Sequence, residues 1–348
     1  MKTLKDFKDE VHSCSKCGLC QAVCPIYKIT GNDCTVSRGH FIMLRGVING
    51  ELKMTRNINR YLELCLKCGA CTKFCPSGID VVDIVAMAKS EYFKTHFAER
   101  IISFIQKYFV LGVGVKLLSL LSKKQKSNSF DKKVLLYTGC GRHIEASAVK
   151  ILNSMNIEAV MPKFECCGMP FFVRGDMENF KKNMDSFFDK LDKAGIREIV
   201  VTCASCEKML KSYSKWSDRD DYVVRNLYEY IRENKIPLKL KEKVVVTFHK
   251  PCNLSNFNDI EWILNNTENL EYIQADDFDK CCGFNGITKF GEYKIMKNIF
   301  DEKHKNILKT GAKILLTSCL GCLITLRIFS RGKYTVADFA EFIANNIG

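Results

Sequence analysis

Residues 134–140 read VLLYTGC and residues 243–252 read KVVVTFHKPC, and each is a short apolar run ending in a cysteine. The elements after each run come in the same order. After Cys140 come a helical stretch over about 145–155, a strand EAVMP (158–162) and the pair Cys166-Cys167-Gly168. A helical stretch over 177–194, a strand EIVVTC (198–203) and Cys206 complete this copy. After Cys252 come a helix near 259–266, a strand EYIQA (271–275) and Cys281-Cys282-Gly283. A helix over 292–310, a strand AKILLTSC (312–319) and Cys322 complete the second. Equivalent cysteines are offset by 112, 115 and 116 residues. A near-constant period marks an internal duplication. Strands alternating with helices predict two α/β lobes on mostly parallel sheets.

The repeat sits in a chain of 348 residues, 47% apolar and 26% charged, which is globular composition with room for more than one core. Fibrous, low-complexity and disordered classes are excluded. The abnormal quantity is nineteen cysteines. The opening MKTLKDFKDE is charged and has no apolar targeting stretch, so a cytoplasmic chain is expected, with thiols serving metals before disulfides.

The N-terminal cysteines follow a tighter rule. Cys14-x2-Cys17-x2-Cys20-x3-Cys24-Pro25 recurs as Cys65-x2-Cys68-x2-Cys71-x3-Cys75-Pro76. This is the run of a bacterial two-cluster ferredoxin, in which the fourth cysteine ligates the other cluster. The expected ligand sets are therefore crossed. Cys14, Cys17, Cys20 and Cys75 would hold one [4Fe-4S] cubane, and Cys65, Cys68, Cys71 and Cys24 the other. Zinc, the competing reading, uses two C-x2-C pairs per site rather than a repeated four-cysteine run. Cys34 lies between the motifs without a partner pattern and reads as a free thiol.

In the duplicated region every cysteine falls at a strand end or in a loop before a helix. Strand carboxyl ends form the ligand crevice of an open α/β sheet, and helix N-termini favour thiolates. Two metal-binding rings are expected. Cys140, Cys166, Cys167, Cys203 and Cys206 form the first, and Cys252, Cys281, Cys282, Cys319 and Cys322 the second. Adjacent cysteines do not easily fill two corners of a regular cubane alongside three others. Five soft ligands thus predict one or two further, non-cubane [4Fe-4S] clusters, against zinc, disulfides or a redox dithiol. His249 beside the second strand end, and His143 after Cys140, either tune a cluster and carry protons or are structural hydrogen-bonding residues. No G-x-G-x-x-G follows a strand, so flavin or nicotinamide chemistry is expected in a partner.

The elements Cys140…Glu165-Cys166-Cys167-Gly168-Met169-Pro170…Cys203-x-x-Cys206 and Cys252…Cys281-Cys282-Gly283…Cys319-x-x-Cys322 resemble the cysteine-rich CCG domain. That domain occurs in heterodisulfide reductase subunits and in several dehydrogenase iron–sulfur subunits. Two of them behind a two-cluster ferredoxin look most like the glycolate oxidase iron–sulfur subunit family, which includes lactate-oxidising relatives. Ser37-Arg38-Gly39-His40 and Cys75-Pro76-Ser77-Gly78 are also similar to that family. The domain order read along the chain is an α-helical ferredoxin module at 1–97, a connector at 98–133, and CCG domains at 134–240 and 241–348.

The function the resemblance implies is electron transfer within a flavin-dependent 2-hydroxy-acid dehydrogenase acting on glycolate or lactate. An FAD-containing subunit would oxidise the substrate, and this chain would pass electrons to a quinone or another acceptor. Two departures leave other chemistry open. The second copy reads His249-Lys250-Pro251-Cys252-Asn253 where that family tends to have an acidic residue and a second His. The first keeps a full Cys203-x-x-Cys206 where many hydroxy-acid subunits have lost ligands. The alternatives are a heterodisulfide-reductase-type subunit that cleaves a disulfide, and the iron–sulfur subunit of anaerobic glycerol-3-phosphate dehydrogenase.

Between ferredoxin module and repeat lies IISFIQKYFVLGVGVKLLSLL (101–121), long enough to span a bilayer. Gln106, Lys107 and Lys116 lie inside it, and Gly112 and Gly114 interrupt it, so it reads as a helical connector. Residues 98–133 carry +6 of the net +14, enough for peripheral contact with the cytoplasmic face of a membrane. A cubane with four thiolates carries about −2, so loaded clusters cancel much of the excess and no nucleic-acid partner is expected.

Overall fold

The structure is a computed structural model that describes residues 2–96, 101, 130–284 and 293–346. The connector expected over 98–133 lies almost wholly outside the described residues. Two compact units divide the chain. One takes residues 1–106, 168–181 and 283–299, the other 107–167, 182–282 and 300–348.

The N-terminal part of the first unit is helical: α1 (Lys8–His12), α2 (Leu19–Val23), α3 (Pro25–Thr30), α4 (Ser37–Ile48), α5 (Arg56–Leu64), α6 (Ala70–Lys73) and α7 (Val81–Thr95). Local chemistry sets these boundaries. Pro25 opens α3, where its fixed φ suits the first turn and its missing N–H is no loss. Thr55 caps α5 by accepting the Ile58 N–H, and Cys65 follows the last turn. The core gathers on α7, whose Val81, Ile84, Val85 and Met87 are buried, as are Leu44 of α4 and Leu62 of α5. Each such side chain contributes roughly 1.5–3 kcal/mol of apolar transfer. The three long helices fall where the sequence places them, at 36–49, 56–66 and 80–95.

The second unit holds both α/β lobes. The first lobe runs β1 (Lys132–Tyr137), α8 (Glu145–Ser154), β2 (Ile157–Val160), α9 (Met169–Arg174), α10 (Met177–Ala194), β3 (Glu198–Val201), α11 (Ala204–Ser212), β4 (Val223–Asn226) and α12 (Leu227–Glu233). Its residues 168–181, which carry α9, are grouped with the first unit. The second runs β5 (Leu238–Phe248), α13 (Asn258–Asn265), β6 (Thr267–Tyr272), α14 (Tyr293–Lys309), β7 (Ile314–Thr317), α15 (Leu320–Ser330), β8 (Thr335–Asp338) and α16 (Phe339–Asn346). The sheets are ordered β2-β1-β3-β4 and β6-β5-β7-β8, every pair parallel, so the duplication is one topology used twice. Parallel neighbours need long crossovers, which these helices supply.

Some boundaries differ from expectation. β1 starts at Lys132, inside the stretch expected as the connector, and β5 starts at Leu238, with a register shift between Lys239 and Val244. β4 and β8 were not expected. Each has four residues, of which two are buried, too short an apolar run to stand out.

The lobes meet through related contacts. α8 of the first packs on α16 of the second, and α12 of the first on α13 of the second. The duplication maps α8 onto α13 and α12 onto α16, so the two contacts form a pseudo-twofold pair. Lys150 donates to the Ala344 carbonyl at 2.6 Å, and Arg232 pairs with Asp259 at 2.6 Å. Among the described residues no helix is long and apolar enough to cross a membrane.

Candidate metal centre

In the first unit the two cysteine motifs share one backbone form. Lys16 (φ 58°) and Gly18 (φ 85°) flank Cys17, and Lys67 (φ 53°) and Gly69 (φ 72°) flank Cys68. Two left-handed residues in each loop curl it tightly. The glycines adopt this form freely, and the lysines at a cost of about 1 kcal/mol each.

The fourth cysteine of the first motif sits with the second motif. One cavity is lined by Cys24, Cys65, Cys68 and Cys71, together with Ser37 and His40 of α4. Cys20 lies with Cys14 and Cys17. The Ser77 hydroxyl donates to the Ser13 carbonyl at 3.2 Å, which brings the segment after Cys75 to the head of the first motif.

α4 supports both groups, a role that the family likeness of its Ser37-Arg38-Gly39-His40 stretch did not specify. Ser37 hydrogen-bonds the thiols of Cys20 and Cys71. Arg45 donates to the carbonyls of Val11 (3.2 Å), His12 and Cys14 (both 2.9 Å), clamping the first loop. Gly39 is packed so closely that a Cβ would sit 2.0 Å from the Asp33 carbonyl oxygen. Ser37-Arg38-Gly39-His40 is therefore a packing and hydrogen-bonding feature beside the thiols. Cys34 is half-buried within Asp33–Thr35, and its N–H donates to Asn32.

Burial pushes the Cys24 thiol up to about 11 and also raises Cys71, while burial lowers His40 to about 4 and keeps it neutral. A dry pocket disfavours bare thiolates, so a set of four calls for a cation among them. The donors are all soft sulfur, which fits an iron–sulfur cubane.

In the second unit Cys203 and Cys319 are the N-cap residues of α11 and α15, at the ends of β3 and β7. The thiols run in contact. Cys140 lies against Cys166, Cys167 against Cys206, and Cys206 against Cys203. In the second lobe Cys281 meets Cys282, Cys322 meets Cys319, and the Cys282 and Cys322 sulfurs are 3.3 Å apart. Cys252 is half-buried in the turn after β5. The two chains of thiols join at the pseudo-twofold, where Cys203 touches Cys319 and the Ser205 hydroxyl lies 3.2 Å from the Cys319 sulfur. None of the nineteen cysteines forms a disulfide.

The lobes differ in what surrounds their sulfurs. In the first, side chains clamp the cysteine-pair loop. Tyr137 donates to the Glu165 carbonyl (2.8 Å), Asn183 to Cys166 (2.8 Å) and Tyr213 to Cys167 (3.0 Å). These residue types carry no sequence signal of such a role. In the second lobe hydrogen bonds from Cys281 and Cys322 hold Cys282 toward thiolate, and His249 and Lys303 are buried near it. His249 shares one cluster with Cys282 and Cys322, their ligand atoms all within 4.8 Å of one another. His143 lies among the charges of Glu341 and Arg327.

Comparison with known proteins finds two family models along the chain. The family model described as a 4Fe-4S dicluster domain matches residues 10–79, and the cysteine-rich domain matches 134–211 and again 246–327. An uncharacterised iron–sulfur protein of Methanococcus maripaludis is 26% identical, covering 93% of this chain and 68% of its own. The glycolate oxidase iron–sulfur subunit of Escherichia coli K12 is 24% identical over 96% of this chain and 93% of its own. A subunit of the dihydromethanophenazine:CoB–CoM heterodisulfide reductase of Methanosarcina barkeri is 21% identical over 97% and 94%. Named relatives of both kinds are subunits of oxidoreductases. The chain belongs with the iron–sulfur oxidoreductase subunits its sequence resembles, those in which a 4Fe-4S dicluster domain is joined to two cysteine-rich CCG domains.

Proposed function

We propose that this chain is the electron-relay subunit of a flavin-dependent 2-hydroxy-acid dehydrogenase, with glycolate or lactate oxidised on an FAD-containing partner. The carrying observation is a chain of sulfur sites in a protein whose motifs supply no flavin or nicotinamide cradle. Bound iron–sulfur clusters supply single-electron transfer, whereas oxidation of a hydroxy acid removes a hydride equivalent, so another protein must take the pair and release it stepwise.

The residues fit that division of labour. Cys65, Cys68, Cys71 and Cys24 would hold one cubane, and Cys14, Cys17, Cys20 and Cys75 the other, with Ser37 donating to a thiolate of each set. The close grouping of Cys24 with Cys65, Cys68 and Cys71 supports this crossing. Cys140, Cys166, Cys167, Cys203 and Cys206, and their counterparts Cys252, Cys281, Cys282, Cys319 and Cys322, would hold further, non-cubane clusters. Contact between Cys203 and Cys319 supports electron passage from one lobe to the other. The acceptor beyond is a quinone or another carrier, met in the cytoplasm or on the cytoplasmic face of a membrane.

Purified protein alone should oxidise neither glycolate nor lactate. Adding the flavoprotein subunit should give substrate-to-dye electron flow, and Cys20→Ser should abolish it. A second reading, disulfide cleavage of the heterodisulfide reductase type, is favoured by the complete five-cysteine set in both lobes. It expects the reduced chain to cleave a thiol-carrier disulfide without any hydroxy acid, and Cys281→Ser or Cys282→Ser to stop it. Such cleavage at an enzymatic rate, with no coupling to a hydroxy-acid flavoprotein, would reverse the ranking.

A further inference from the structure

The two lobes carry equivalent cysteines, but their surroundings are not equivalent. The offset of 112 residues that maps Cys140 onto Cys252 maps Tyr137 onto His249. Both side chains leave the end of the first strand of their sheet and face the same two sulfurs. Tyr137 lies in the field of Cys167 and Cys206, and His249 lies beside their counterparts Cys282 and Cys322.

Their hydrogen-bond status differs. Tyr137 is occupied, because its hydroxyl donates to the Glu165 carbonyl at 2.8 Å. His249 is 1% exposed, and its ring turns to the Cys282 sulfur, with no oxygen or nitrogen partner for either ring nitrogen. Its ligand atom lies within 4.8 Å of the Cys282 and Cys322 sulfurs, which are 3.3 Å from each other. That spacing suits three ligands on one metal or on neighbouring irons.

A second substitution points the same way. The offset of 116 residues that maps Cys203 onto Cys319 maps Phe187 onto Lys303. Phe187 is buried against Tyr137, Phe164 and Tyr213. Lys303 is 4% exposed, donates to the Asp277 carbonyl at 2.7 Å, and feels the charge of Cys281, Cys282 and Cys322. A buried ammonium needs anionic company. Thiolates fixed by a metal provide it, and at the equivalent place the first lobe has the ring of Phe187 packed among other aromatics.

We propose that His249 is a ligand of the iron–sulfur centre in the second CCG lobe, beside Cys282 and Cys322, so that this centre is held by mixed imidazole and thiolate while the first lobe's is held by thiolate alone. The inference deepens the electron-relay reading and rests on the second lobe holding iron. His249 adds a neutral ligand without removing a thiolate, and the buried Lys303 ammonium in the field of Cys281, Cys282 and Cys322 makes the surroundings of the second centre less negative, so that the second centre is easier to reduce. The two lobes then form a downhill step, from the first centre to the second.

The test is pulsed EPR of the anaerobic, iron-loaded full-length chain, poised at potentials that reduce each centre in turn. Samples are made with natural-abundance histidine and with 15N-histidine. The expected result is a nitrogen coupling of the strength of a ligating imidazole, altered by the label and absent in His249→Tyr, which installs the first lobe's residue. His249→Cys is the second variant, expected to keep the wild-type iron content while losing the nitrogen coupling. No label-sensitive coupling at any potential, or a coupling unchanged in His249→Tyr, overturns the proposal. Iron content separates the two failures. Iron equal to the ferredoxin pair alone, about 8 atoms, removes the cluster reading of the lobes, whereas more iron without the nitrogen coupling removes only the histidine ligand.

Discussion

Asn226 and Asp338 occupy equivalent places, 112 residues apart, at the ends of the last strand of each sheet. Each caps the helix that follows. Asn226 accepts the Tyr228 N–H at 3.1 Å, and Asp338 accepts the Ala340 N–H at 2.9 Å. The amide does this without charge. The carboxylate is buried, and burial raises it to about 7, although the N–H groups of Glu341 and Ala340 oppose the shift. A carboxyl raised in the folded state contributes stability that is fully present below its unfolded value near 3.9 and is lost as pH rises through about 7. Asp338→Asn copies the other lobe's solution and keeps the acceptor oxygen. The wild-type unfolding midpoint should therefore fall between pH 5.5 and pH 8.5 by more than the variant's. At the upper pH the variant should be more stable by on the order of 2–4 kcal/mol. Equal pH slopes for the two proteins would rule out Asp338 as the source.

At the scale of elements, α4 shows what could be read in advance and what could not. Its existence was legible from 36–49, because an apolar face repeats with helical period. Its work was not. Ser37, Gly39, His40 and Arg45 are ordinary types, and their roles come from cysteine loops and a carbonyl brought alongside by tertiary packing. The cysteine motifs were legible for the opposite reason: their spacing follows from local ligand geometry, so the two matching domains stand out without the fold. β4 and β8 were illegible because a four-residue strand at a sheet edge needs little apolar sequence. Gly39→Ala tests the element. A Cβ 2.0 Å from the Asp33 oxygen cannot be accommodated by rotating a side chain, because the obstacle is backbone. The expected cost is about 3 kcal/mol, seen as reduced iron retention in the ferredoxin module. Ile42→Ala, on the 50% exposed face of the same helix, should retain iron like wild type. Equal retention by the two variants would show that α4 can move away from Asp33 without cost.

On the scale of the whole molecule, duplication occurs twice and is used differently each time. The lobes repeat a topology and join through pseudo-twofold helix contacts, so each copy keeps its own sulfurs and the meeting point is Cys203 against Cys319. The ferredoxin motifs repeat a loop, and Cys24 of the first lies with Cys65, Cys68 and Cys71 of the second, which supports the proposed exchange of last members. Under that proposal the two halves of the module are interdependent, because neither loop would complete a four-sulfur set without the other. The consequence is non-local. Cys75→Ser should deplete the cluster held by Cys14, Cys17 and Cys20, the loop more than forty residues upstream, and leave the Cys65, Cys68 and Cys71 cluster in place. Cys24→Ser should do the reverse. Serine is close in size to cysteine and Cys75 is only partly buried, so the packing penalty is small and the loss reports ligation. Iron content should fall by about 4 atoms in each variant, and EPR of the surviving cubane should identify which one remains. Loss confined in both variants to the cluster of the mutated motif would show that each loop supplies all four of its own ligands.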